Sequence, residues 1–150
     1  MPRILVLHGP NLSALGSREP AIYGAATLDD IHRNLQTLAR ELGCDVEWLQ
    51  SNHEGVLIDA LLGAREKSFD GALLNPGGLT HTSVALRDAV VASGIPVIEV
   101  HVSNPQARES FRHFSLISGA AAGVVQGFGP DGYALALRGL VRRLSNGRPA

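Results

Sequence analysis

A single cysteine, Cys44, stands in 150 residues. One thiol excludes an internal disulfide framework and a CxxC redox pair, and it points to a reducing compartment. Neither sign of charge dominates: the formal net charge is −1. That balance gives no global attraction to nucleic acid or to an anionic membrane, and neither is expected as a partner. No apolar run approaches transmembrane length. The opening Met1-Pro2-Arg3-Ile4-Leu5-Val6-Leu7 runs into a strand without a signal-peptide cleavage pattern, so a cytoplasmic location is expected. Repeats, linkers and low-complexity segments are missing as well. The length suits one domain, residues 1–150, with a core of its own.

What is present is an alternation of strand-like and helix-like segments. Strands are expected at Arg3 to His8, Asp45 to Gln50, Gly71 to Leu74, Pro96 to His101 and Ala120 to Gln126. Between them, Leu28, Ile31, Leu35, Leu38 and Leu42 recur at helical spacing. Thr27 with Asp30 makes a capping-box start for that helix and Gly43 its stop. A second helix is expected from an Asn52 cap to about Lys67, a third from Ser83 to Ala92, and a short helical turn after Asn104-Pro105. The last helix opens at Pro130, in the first position, with Tyr133, Leu137, Leu140, Val141 and Leu144 as its buried stripe. Arg138, Arg142 and Arg143 complement its dipole. A frayed tail follows from Ser145 to Ala150. This alternation predicts an α/β fold, a flavodoxin-like three-layer sandwich whose five-stranded parallel sheet runs in the order 2-1-3-4-5.

Three strands end in polar residues on one expected rim, where open parallel sheets bind ligands. Strand one leads to Asn11 and a connection from Gly9 to Ala26, far longer than the roughly 2–6 residues of an ordinary βα loop. That loop holds Arg18, Glu19 and Tyr23. Strand three runs into Asn75-Pro76-Gly77-Gly78-Leu79-Thr80-His81-Thr82-Ser83, a turn carrying an amide, an imidazole and three hydroxyls. Reversal of the chain alone does not require that set. Strand four ends Glu99-Val100-His101-Val102-Ser103, with Glu99, His101 and Ser103 two apart and so on one face of extended chain.

Each group has a plainer alternative. Glu99 and His101 could be a rim pair or a metal pair. The acid/base reading is favoured, because a carboxylate beside an imidazole favours the charged, proton-donating form. A zinc site is disfavoured by the lack of HExxH or CxxC spacing. Arg18 and Tyr23 could be surface residues of a mobile loop; together they suggest a phenol activated by a guanidinium in a water-poor site. Arg108 and Arg112, four apart on an expected helical turn, are either anion or phenolate partners or a solvated basic face. Gly127-Phe128-Gly129-Pro130-Asp131-Gly132 spells GxGxxG, but no strand and acidic residue follow it, so a tight turn is expected there. His8-Gly9 resembles a hydrolase oxyanion segment without the GxSxG elbow it would serve. A module binding a nucleotide or flavin stays open as an alternative; Pro10, which removes a backbone donor after strand one, weakens it.

These motifs, with His8-Gly9-Pro10-Asn11-Leu12, Arg18-Glu19-Pro20-Ala21-Ile22-Tyr23-Gly24 and Ala107-Arg108-Glu109-Ser110-Phe111-Arg112-His113, resemble the type II 3-dehydroquinate dehydratases in order along essentially the whole chain. Ser13-Ala14 and Gly78-Leu79 depart from the family's more usual residues without removing a catalytic group. The resemblance implies a hydro-lyase that needs neither metal nor cofactor. It would remove water from 3-dehydroquinate by anti elimination through an enolate, giving 3-dehydroshikimate. The route served is the shikimate pathway to chorismate and aromatic amino acids, or in some organisms quinate breakdown. By the same resemblance Tyr23 is the base, Arg18 steadies its phenolate and Asn11 holds a water on the enolate oxygen. His101, oriented by Glu99, is the acid. Asn75, the Val102 backbone N–H and Ser103 grip the substrate carboxylate, and His81 and Arg112 bind its hydroxyls. Asp88 lines the site of a neighbouring subunit in a dodecamer of four trimers. Arg108 is a supporting group.

Overall fold

In the computed structural model, which describes residues 1–147, the strands β1 (Arg3–His8), β2 (Asp45–Gln50), β3 (Gly71–Asn75), β4 (Val97–His101) and β5 (Gly123–Gln126) pair in parallel. Their order is β2-β1-β3-β4-β5, as the alternation predicts. The helices are α1 (Pro20–Tyr23), α2 (Leu28–Leu42), α3 (Glu54–Leu62), α4 (Val84–Ala92) and α5 (Asp131–Ser145).

Strand periodicity divides the core in two, because successive side chains point to opposite faces of a sheet. Ile4 and Val6 of β1 join Ile31 and Leu35 of α2 and Leu137 and Leu140 of α5 on one face. Leu5 and Leu7 join Leu57 and Leu61 of α3 and Leu86 and Val90 of α4 on the other. A full burial of each such side chain contributes roughly 1.5–3 kcal/mol. β1, β3 and β4 are therefore fixed with their polar carboxyl ends at one rim, where His8, Gln50 and Asn75 stand side by side in register.

Local signals set the best-defined helix. Thr27 Oγ1 accepts from the Asp30 N–H, Asp30 Oδ2 accepts from the Thr27 N–H, and Gly43 closes α2 at φ 72°. Ser83 caps α4 by accepting from the Leu86 N–H at 2.8 Å. Asn104 caps the 3-10 turn Pro105–Ala107.

Several elements differ from the sequence reading. Asn52 does not cap α3; His53 holds that position, and Asn52 Oδ1 instead accepts from the Asn11 N–H at 3.0 Å and from Gln50 Nε2 at 3.2 Å. α3 stops at Leu62, and turns carry the chain on through Ser68. β5 begins at Gly123 rather than Ala120. Pro130 is the N-cap of α5, not its first helical residue. Arg142 and Arg143 lie in the last turn of α5, whereas Arg138 lies mid-helix. The expected tail is helical through Ser145, and residues 148–150 lie outside the described residues. The long connection after β1 is not bare loop: it folds into a 3-10 turn at Leu12–Ala14 and into α1, with Pro20 at its first position. The GxGxxG stretch is a tight turn before α5, with Gly127 and Gly129 at φ 92° and 64°.

Candidate active site

The rim of the sheet carries a tight cavity of ≈ 40 Å³. Its walls come from three stretches far apart in sequence. The connection after β1 supplies Leu12, Arg18 and Tyr23; the turn after β3 supplies Asn75, Gly77 and His81. The end of β4 supplies His101, Val102 and Ser103, and the two turns beyond supply Pro105, Arg108 and Arg112. Close backbone approach makes this meeting feasible. A Cβ on Gly9 would lie 2.5 Å from the Pro76 carbonyl oxygen, and one on Gly77 2.9 Å from that of Pro10.

Tyr23 is buried although its segment is largely exposed. Two guanidiniums hold it. Arg18 lies over the ring, with Cζ 4.5 Å from the centroid. Arg108 lies 5.1 Å from the same centroid and donates from Nη1 to the phenol oxygen at 2.8 Å. Both are within the ~6 Å reach of a cation–π contact. The group on the hydroxyl is thus Arg108, while Arg18 faces the ring. Arg108 Nη1 also donates to Ser103 Oγ at 3.2 Å. Arg108 and Arg112 do not share a helical turn: Arg108 is extended, between 3-10 turns at Pro105–Ala107 and Ser110–Arg112. They nevertheless line the same cavity, and Arg112 Nε donates to Glu109 Oε1 at 3.2 Å.

Across the cavity wall, His101 Nε2 is bound to the Glu99 carboxylate. Ser115 Oγ donates to both carboxylate oxygens at 3.1 Å, and Ser118 Oγ to Oε1 at 2.8 Å. Burial pushes the Glu99 carboxyl up, but His101, Ser118 and Ser115 outweigh it and hold the group below the usual carboxylate range. Glu99 itself is fully buried behind His101 and does not line the cavity. With Nε2 taken, Nδ1 is the His101 nitrogen left for a bound molecule. His81 Nδ1 lies 2.8 Å from the Phe114 carbonyl. A carbonyl only accepts, so His81 carries its proton there and leaves Nε2 for the cavity.

Two expected site residues stand outside. Asn11 is exposed at the rim, beside Leu12, in a left-handed conformation with φ 70°. Asp88 is exposed on α4 and does not line the cavity. The residues missed by sequence reasoning are Ser115 and Ser118, whose three-residue spacing before β5 was their sole signal, and the buried His8–His32–Tyr133 group behind Asn75.

The first turn after β1, Gly9 to Leu12, leaves no backbone N–H free to cradle a phosphate. The Gly9 N–H donates to the Asn75 carbonyl, Pro10 has none, and the Asn11 and Leu12 N–H groups are taken by Asn52 and Gly9. A nucleotide or flavin module would need such a cradle after strand one. Among the described residues no three His, Cys, Asp or Glu side chains gather to hold a metal ion, and no helix is long and apolar enough to cross a membrane.

Residues 2–141 match the model of the family described as Dehydroquinase class II. A protein of Corynebacterium efficiens named 3-dehydroquinate dehydratase 1 is 60% identical over 135 residues, covering 90% of this chain and 89% of its own. A protein of Aspergillus flavus named catabolic 3-dehydroquinase 2 is 54% identical, covering 96% and 95%. The crystal structure of type II dehydroquinase from Propionibacterium acnes superposes with a TM-score of 0.90 at 43% identity, covering 95% of this chain and 97% of that one.

Proposed function

The chain belongs to the class II dehydroquinase family, and from that premise we propose that it is a hydro-lyase converting 3-dehydroquinate to 3-dehydroshikimate, in the cytoplasm and as one catalytic domain over residues 1–150. The observation that carries the reading is a phenol gripped by two arginines in the same cavity as a carboxylate-backed imidazole. Elimination next to a ketone needs a base for the α-proton and an acid for the departing hydroxyl. Tyr23 and His101 are those two groups.

Tyr23 as phenolate takes the proton from the carbon beside the substrate ketone. Arg108, on the phenol oxygen, and Arg18, on the ring, hold Tyr23 in place for that transfer. The electron pair passes to the ketone oxygen as an enolate. Asn11, at the rim, holds a water against that oxygen, and the water's hydrogen bond strengthens as charge develops. Collapse of the enolate expels the hydroxyl, which leaves as water with a proton from His101. Glu99 fixes the His101 ring and faces its charge, and Ser115 and Ser118 fix Glu99. Asn75, the Val102 N–H and Ser103 take the substrate carboxylate; His81 and Arg112 take its hydroxyls.

Asp88 acts in a second copy. With Val84 and Val91 it forms one exposed face of α4, spaced four and three residues apart. An apolar stripe flanking a carboxylate outside its own cavity is the pattern of a subunit contact. The assembly is a homo-oligomer, a dodecamer of four trimers.

The test is direct. Purified protein mixed with 3-dehydroquinate should develop the absorbance of a conjugated enone, and EDTA should leave the rate unchanged. No enone formation at any pH from acid to base would overturn the reading; loss of the rate in EDTA would return Glu99 and His101 to the metal reading.

A further inference from the structure

Behind Asn75 lies a buried line of polar side chains that the proposed chemistry does not use. Tyr133 of α5, 1% exposed, places its hydroxyl 3.0 Å from Asn75 Nδ2 and 3.0 Å from His8 Nδ1. His8, fully buried at the end of β1, places Nε2 2.9 Å from His32 Nε2. His32 of α2 stacks on Trp48 of β2 at 4.2 Å between ring centroids. The line thus runs from the outer edge of the sheet to the cavity wall.

The proton order along it follows from one fixed end. Asn75 Oδ1 accepts from the Gly77 N–H at 3.2 Å, so Nδ2 is the atom facing Tyr133. Nδ2 only donates, so the Tyr133 oxygen accepts and its own proton goes to His8 Nδ1. His8 is then protonated at Nε2 and donates to His32 Nε2, which leaves the His32 proton on Nδ1. Each link carries one proton, and reversing any link reverses its neighbour. Burial supports the neutral state throughout. It pushes the Tyr133 phenol up, and with His32 nearby it drops His8 to about 3.

We propose that Tyr133, backed by His8 and His32, is a positioning residue that, opposite the Gly77 N–H, holds the Asn75 carboxamide with an N–H of Nδ2 turned to the substrate carboxylate. One Nδ2 hydrogen is spent on Tyr133 and the other is left for the ligand. Turned over, the amide would meet a carboxylate with its own oxygen, so orientation decides whether Asn75 attracts or repels an anion. The inference rests on Asn75 binding the substrate carboxylate, as proposed above.

The experiment is a kinetic cycle with Asn75→Ala, Tyr133→Phe and the double variant. Each single variant should raise KM about tenfold, the loss of one hydrogen bond to a charged group, with kcat changed far less. The double variant should be no worse than Asn75→Ala alone, because both act through one amide. A raised KM for Asn75→Ala beside an unchanged KM for Tyr133→Phe overturns the positioning role and leaves Asn75 as a ligand. An unchanged KM for Asn75→Ala removes the substrate-binding reading and the inference with it. Should Tyr133→Phe not fold, imidazole 15N NMR of the unaltered protein still decides: His8 must be the Nε2–H tautomer, and an Nδ1–H tautomer refutes the proton order.

Discussion

Arg108 Nη1 donates to the Tyr23 hydroxyl at 2.8 Å across 85 residues of sequence. Arg18, five residues from Tyr23, contacts only the face of its ring. The two arginines therefore differ in kind. A donor on the oxygen strengthens as the phenol ionises, whereas a cation over the ring acts more weakly and less directionally. Arg108→Ala should lower kcat by at least about 10²-fold, the scale of one lost donor to a developing oxyanion, and by more than Arg18→Ala does. Arg108→Lys should recover little, because a compact ammonium does not reproduce a guanidinium whose single Nη1 meets both Tyr23 and Ser103 while its Cζ stays 5.1 Å from the Tyr23 ring centroid. Steady-state kinetics of the three variants settles the ranking; a larger loss in Arg18→Ala would hand the phenolate to Arg18.

His101 and Glu99 act as one unit with two serines. His101→Ala should lower kcat by roughly 10²–10⁴-fold, the range for a general acid, with a smaller effect on KM. Ser115→Ala/Ser118→Ala removes three donor contacts to a fully buried carboxylate. A carboxylate so stripped costs on the order of 1–3 kcal/mol in stability. Urea denaturation of the double serine variant checks this, and unchanged stability would mean that His101 alone carries Glu99.

The sequence exposed whatever is decided within a few residues. α2 is legible because its cap, stripe and stop all lie inside one segment. The sheet order follows from the alternation, and the rim residues follow from the strand ends. Misreadings arise where a distant partner decides. Asn52 looks like a cap, but its amide is taken by the Asn11 backbone, 41 residues away. Arg108 and Arg112 have helical spacing, yet Pro105 starts a separate turn and Arg108 leaves it extended. Tyr133 reads as one more apolar position of α5, since nothing local shows that its hydroxyl meets Asn75. Ser115 and Ser118 are similarly silent until β4 brings Glu99 beneath them.

Acid should destabilise the protein in two windows. His8 stands at about 3 when folded, against an ordinary 6.5. Below 6.5 the unfolded chain takes up a proton that the folded chain refuses until about 3. The unfolded state then binds more protons, so stability falls with falling pH across that range. His32, also lowered by burial, adds in the same sense. Glu99 contributes only below its ordinary 4.5, because its folded carboxyl sits lower still. Between pH 6.5 and 4.5 the histidines therefore set the slope, at most about 1.4 kcal/mol per pH unit for each group. Urea midpoints measured through that window should fall for the native sequence and flatten in His8→Asn. A native curve already flat there would contradict a neutral, buried His8.

Asn11 allows its backbone and its side chain to be tested apart. Its φ of 70° is a left-handed conformation that asparagine and glycine tolerate and alanine resists. Its N–H is tied to Asn52 Oδ1, so the backbone at the mouth of the cavity is set by this one residue. Asn11→Gly keeps the conformation and the N–H but removes the amide. It should leave the unfolding temperature within a degree or two while kcat falls by about 10²-fold, the loss of an oxyanion-side contact. Asn11→Ala should lose the same activity and a further ~1 kcal/mol of stability from the strained φ. Thermal melts and kcat of the pair separate the two effects. Full activity in Asn11→Gly would show that the backbone alone serves the enolate and that no side-chain amide is needed to hold the water.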